Sequence, residues 1–160
     1  MIKKTIFALG ICIVAVNVIA DEQLDRMEAF AEELTTLMYQ AMIKSAEAEG
    51  ADVSKLKTLI PDTSWNEEMR GATRCILDKY EARIGSAGID KMLDDMEAKL
   101  PSLRKGGMEA FQQASNNMPD GITIDEAIEI NRTCGMTALQ QKNIDANKFT
   151  SELLKIMAVQ

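Results

Sequence analysis

Between Asp21 and Glu49 the chain repeats small and apolar residues at alternating intervals of three and four: Leu24, Met27, Ala31, Leu34, Met38, Ala41 and Ser45. Residues so spaced share one face of an α-helix, and a seam sustained this long must be covered by other helices. Phe30, Leu37 and Met42 widen the seam, while Glu22, Glu28, Glu32 and Glu33 lie off it. A helix over 21–49 is therefore predicted. Gly50 ends it, because glycine takes the positive φ that closes helices. The covering helices belong either to this chain or to a second copy.

The rest of the chain supplies candidates for that cover. Val53 to Leu59 predicts a short helix stopped by Pro61. Ser64 and Glu67 have capping-box spacing, and Trp65, Met69, Ala72, Cys75 or Ile76, and Tyr80 then line a helix that Gly85 closes. Ser86 opens another, with Ile89, Met92, Leu93, Met96 and Leu100 inward until Pro101. Thr123 and Glu126 form a second capping box, starting a helix to about Lys142 with Ala127, Ile128, Asn131, Cys134 and Ala138 on its inner stripe. Gly135 sits inside that pattern, where glycine costs about 1 kcal/mol against alanine. Close approach of a partner helix beside Cys134 is the expected reason. A last helix, over 147–158, turns Phe149, Leu153, Ile156 and Met157 inward.

Pro101 to Gly121 reads as the longest irregular stretch. Arg104-Lys105-Gly106-Gly107 breaks the periodicity, and Asn116 to Gly121 has turn chemistry. Only a turn or two of helix is expected between, from Met108 to Ala114. The predicted fold class is all-α: a single compact domain of five or six helices over 21–160.

The segment before Asp21 has a different composition. Lys3 and Lys4 precede an apolar run from Ile6 to Ala20, broken only by Gly10 and Asn17 and ending Val18-Ile19-Ala20. A positive start, a short apolar stretch and small residues at −3 and −1 describe a secretory signal peptide. Residues 1–20 are thus predicted to be cleaved, with the mature protein in the periplasm and no stable membrane anchor. The run is shorter than the ~20 residues a span needs. Cys12 follows Leu9-Gly10-Ile11, but a lipobox needs a small residue where Ile11 stands, so Cys12 is expected to leave with the leader.

Export gives the remaining cysteines, Cys75 and Cys134, their meaning. Two cysteines in an oxidising compartment predict one structural disulfide. Charge shifts too: losing Lys3 and Lys4 takes the −7 of the full chain to −9. That argues against nucleic acid and anionic membrane surfaces as partners, and suits a basic one.

The chain has no histidine. Ser-His-Asp and Cys-His catalysis, the usual zinc sites and histidine-ligated haem are therefore outside its chemistry. Asp94-Asp95 and Glu67-Glu68 are adjacent on helices, point in different directions and read as solvated faces. Ten methionines remain after the leader; they fall on the apolar stripes, so core filling accounts for them more simply than Cu(I) binding. Arg70, Arg74 and Arg83 share one helix, with Arg26, Arg104 and Arg132 elsewhere. They form either a converging anion site or surface ion pairs, and the second is the usual arrangement.

No metal, cofactor or catalytic residue is predicted. The sequence points to a periplasmic helical binding protein with a protein partner. Its concrete form is an immunity or inhibitor protein that masks a basic envelope-acting or secreted enzyme. A homodimer through the Leu24–Ser45 seam is compatible with this. Two alternatives carry other signatures: a periplasmic chaperone or assembly factor, and a small exported enzyme using Arg70, Arg74 and carboxylates. The contact candidates are Trp65, Arg104, Lys105, Met108 and Phe111.

Overall fold

A computed structural model describes residues 7–114 and 118–158, with side chains described from Asp21 onward except at 107, 109 and 112–114. Lys3 and Lys4 of the leader, the side chains of its apolar run, and Asn116 and Asn117 lie outside that description. The described chain is all-α, and Cys75 and Cys134 are bonded. In order the helices are α1 (Phe7–Ala48), α2 (Ser54–Thr58), α3 (Glu67–Glu97, interrupted by a kink at Gly85, φ 72°), α4 (Leu100–Ala114), α5 (Ile124–Thr133), α6 (Met136–Ala146) and α7 (Lys148–Met157). Among the described residues no helix is long and apolar enough to cross a membrane.

The long first helix is the spine, and it serves three apolar clusters in turn. Leu24 and Met27 enter a cluster with Ala72, Ile76, Leu77, Tyr80, Ile89 and Leu93 of α3, closed by Ala127 of α5 and Met136 of α6. Phe30, Leu34 and Leu37 meet Leu100, Leu103 and Phe111 of α4. Tyr39, Ile43 and Ala46 then pack with Leu56 of α2 and Phe149 of α7. The seam therefore does not run straight to Ser45, which is exposed. It shifts from Met38 to Tyr39, because α2 and α7 approach α1 from a different side than α3 and α4 do. Helices of the same chain cover Leu24, Met27 and Leu34 of this seam, while Ala31 and Met38 stay half-buried.

Polar contacts fix the angle between α1 and α3. Gln23 is buried, and its Nε2 donates to Ser86 Oγ at 3.0 Å and Asp90 Oδ1 at 2.8 Å. Arg26 forks onto Glu97 at 2.9 Å and Asp94 at 2.7 Å. Carboxylates of that kind raise a guanidinium's proton affinity, here Glu97 first and then Asp94.

Besides α1, which begins at Phe7 rather than Asp21, four boundaries differ from expectation, each for a local reason. The N-cap of α3 is Asn66, whose side chain accepts from the Met69 N–H at 2.9 Å. Ser64 is instead drawn to Asp62, which accepts from its N–H and hydroxyl, so no box forms with Glu67. Pro101 lies in the first turn of α4 rather than stopping its predecessor: proline fits a first helical turn, where its missing N–H is no loss. Two glycines do not break α4, because Leu100, Leu103, Ala110 and Phe111 pack on α1 and outweigh propensity. The predicted irregular stretch from Pro101 is thus helical to Ala114. The predicted helix over 123–142 is two helices, α5 and α6, divided at Cys134–Gly135.

Gly135 has φ 80°, and a Cβ there would meet nothing within 4 Å. The glycine supplies left-handed backbone, not close approach. That break resets the register, so Met136 and Leu139 face the core while Ala138 is exposed. Gly135→Ala is expected to lower stability by about 1–2 kcal/mol. Gly71→Ala, on the exposed and ordinary helical backbone of α3, is expected to raise it by about 0.5–1 kcal/mol. Urea unfolding of both variants checks the pair. A neutral Gly135→Ala would mean that the α5–α6 turn is not needed for folding.

Candidate functional site

The expected contact residues do not form one site. Arg104, Lys105, Met108 and Phe111 all lie on α4. Phe111 turns inward against α1, and Arg104 donates from Nε to Glu33 of α1 at 2.7 Å. Lys105 is exposed and Met108 half-buried. Trp65 stands elsewhere, before α3, with its backbone N–H donating to Glu32 Oε1 at 3.0 Å. Glu32 and Glu33 are neighbours on α1 but point about 100° apart, the angular step between successive helical residues. Trp65 and α4 therefore attach to different flanks of α1.

The arginine pair does not converge on an open site either. Arg70 is held by Glu28 and by Asp25 at 2.8 Å, and Arg74 by Asp21 at 2.9 Å. These pairs tie α3 to residues 21–28 of α1, the structural arrangement weighed against the anion site.

Helix α5 is built differently. Its first turn is closed by a complete capping box. Glu126 N–H donates to Thr123 Oγ1 at 3.2 Å, and Thr123 N–H donates back to Glu126 Oε2 at 3.0 Å. The Thr123 N–H and then its hydroxyl hold the Glu126 carboxyl below its ordinary range. The cap therefore contributes at neutral pH and is lost as pH falls through that depressed value. The other end is fixed covalently, since Cys134 follows the helix and is bonded to Cys75 of α3 with Cα atoms 5.7 Å apart. Ala127, Ile130 and Cys134 face the core. Asn131, on the predicted buried stripe, is half-buried and donates to Ala127 O at 2.8 Å.

That inner face differs from the expected one in a telling way. Ile128 was expected inward, and it is 61% exposed; Ile124, one turn earlier, is 65% exposed. Both lie on the flank of α5, with Asp125 and Glu129 on the side turned from the core. The segment 120–133 carries four carboxylates and one arginine, a net −3 in the sequence. Arg83 reaches Glu126 at 3.2 Å and Lys91 reaches Asp120 at 3.4 Å, offsetting part of it. Sequence reasoning missed this surface because Ile128 fits the core period as well as Ile130 does. The Ile124 and Ile128 pair, four apart beside a cap, was the available signal.

Elsewhere Leu154 and Met157 of α7 are also exposed; Met157 was expected inward, but Phe149, Leu153 and Ile156 suffice to cover α2 and Tyr39. A polar cleft of about 400 Å³ opens between α1, the 61–66 segment and the α6–α7 junction. Trp65 borders it.

Comparison with protein-family models, curated proteins and solved structures finds no match to this chain.

Proposed function

We propose that this is an exported binding protein that docks, through the exposed flank of α5, onto a basic protein of the cell envelope, as an inhibitor or immunity protein does. The carrying observation is the pair Ile124 and Ile128, held outward on a helix pinned by a capping box at one end and a disulfide at the other. Rigid presentation lowers the ordering cost of binding. Apolar anchors one helical turn apart suit insertion into a partner groove. The chain's net charge, −7 and −9 without the leader, favours a basic partner and speeds its approach. Cleavage after Ala20 would leave the contacts of Asp21, Gln23 and Arg26 with α3 in place, so export is compatible with the observed packing.

The test is capture from native envelope extract by the mature protein and by the double variant Ile124→Asp, Ile128→Asp. The expected result is one basic partner at near-equal stoichiometry, whose lytic or toxic activity falls at a one-to-one ratio. The double variant should weaken that complex at least about 100-fold, the loss of two central apolar anchors, while melting at the wild-type temperature. Retention of the partner by the double variant would contradict the proposal. So would many substoichiometric clients, which would favour a chaperone.

A further inference from the structure

The cleft beside Trp65 is a second feature, independent of α5. Its walls come from Thr35 and Tyr39 of α1, Asp62 and Trp65 of the segment before α3, and Asn143 and Asn147 at the α6–α7 junction. Its volume, about 400 Å³, falls within the range of about 300–1,000 Å³ typical of small-molecule sites.

The polar atoms of the cleft are held in place by bonds to one another and to neighbouring backbone. Asn147 is fixed first: its Oδ1 accepts from the Phe149 N–H at 2.9 Å, and its Nδ2 donates to the Tyr39 hydroxyl at 2.6 Å. Having accepted that bond, the Tyr39 oxygen keeps its own proton to donate. Thr35 donates to Ala31 O at 2.7 Å, so its lone pairs remain as acceptors. Asp62 is oriented at the rim by the Ser64 N–H at 3.0 Å, and Asn143 adds an amide with both capacities. Hydroxyl donors, hydroxyl and carboxylate acceptors and an amide thus line one cleft with an indole.

Charge and shape narrow the ligand. No cation is among the lining residues and Asp62 is an anion, so anionic ligands are disfavoured. A wholly apolar ligand would leave these polar groups unpaired. A quaternary ammonium would want several aromatic faces around it. Here Tyr39 is buried edge-to-face against Phe149, with ring centroids 4.8 Å apart; its hydroxyl, rather than its ring, serves the cleft, which leaves Trp65 alone as a platform. A ligand bearing several hydroxyls and one apolar ring face meets every requirement. Its hydroxyls both donate and accept, and its C–H face packs on indole.

We infer that this cleft binds a neutral saccharide, with Trp65 as the stacking surface and Asp62, Tyr39 and Asn143 as hydroxyl partners.

Trp65 is the chain's single tryptophan; it borders the cleft while packing against the cluster of Leu24 and Ala72, so a saturable emission change that Asp62→Ala and Asn143→Ala weaken assigns the response to the cleft. The experiment titrates the full mature protein with glucose, N-acetylglucosamine and maltose, and in parallel with choline and glutamate. At least one sugar should give a saturable emission change with Kd of about 1 mM or tighter, and choline and glutamate none. Asp62→Ala and Asn143→Ala should each weaken that sugar by about tenfold or more, with unchanged partner binding through α5 and an unchanged melting temperature for Asn143→Ala, Asp62→Ala losing only the few degrees its bonds to Ser64 supply. No saturable response to any of the three sugars by tens of millimolar would overturn the inference. So would a response to choline instead, or equal affinities in wild type and both variants.

Discussion

Replacing Cys75 and Cys134 together by serine will lower the melting temperature of the mature protein by about 12 °C. The bridge joins residues 59 apart. Closing a loop of that length removes unfolded-state entropy equivalent to about 4 kcal/mol, and a chain of this size loses about 3 °C per kcal/mol. The double variant is the right comparison, because a single substitution leaves a free thiol able to pair between molecules. Reducing agent on the wild type should reproduce the shift. The consequence reaches beyond stability. Without the bond, the C-terminal end of α5 is held by the packing of Ile130 and, past the turn, of Met136 and Leu139, so partner binding should weaken even at temperatures where the fold survives. An unchanged melting temperature on reduction would mean that the bridge does not form in the protein.

The second large effect is expected at Phe149. This side chain is fully buried between α1, α2 and α7 and packs edge-to-face on Tyr39. Phe149→Ala should cost about 3–5 kcal/mol in urea unfolding, and Phe149→Leu markedly less, because volume is largely kept. The loss should also be local at first. Hydrogen exchange over 148–157 should accelerate more than over α3, since α7 is attached chiefly through this ring, its neighbours and the Asn147–Tyr39 bond. Equal acceleration in α3 and α7 would show instead that the three apolar clusters unfold as one unit.

Much of this architecture was legible in the residues. The capping box at Thr123 and Glu126, the break at Gly85 (φ 72°) and the pairing of Cys75 with Cys134 are local or compositional signals, and each holds. The inward stripes of α3 hold as well, including the methionines Met69, Met92 and Met96, which pack in or against the core. What failed depended on tertiary context. Pro101 and the paired glycines look like breakers until α1 provides a surface for Leu103 and Phe111 to cover. Ser64 looks like a cap until Asp62 competes for it. Gly135 looks like a close approach until its φ is known, and that single turn then moves Ala138 from the expected core to the surface.

The site was less legible than the fold. Trp65, one of the five expected contact residues, does border a cleft, but its companions there come from α1 and the α6–α7 junction, far apart in sequence. The exposed flank of α5 was hidden by a pattern that allowed Ile128 or Ile130 to face inward. Only the angle at which α5 lies on α3, fixed by Cys134, decides between them.

The central claim is that α5 presents Ile124 and Ile128 to a basic protein. The most direct measurement places a photo-crosslinking residue at 128 in the cell, with the same residue at exposed Lys44 of α1 as reference. The account predicts one strong adduct from position 128 to a basic envelope protein, absent from position 44 and abolished by Asp at 124. Equal adducts from both positions, or none from 128, would contradict it.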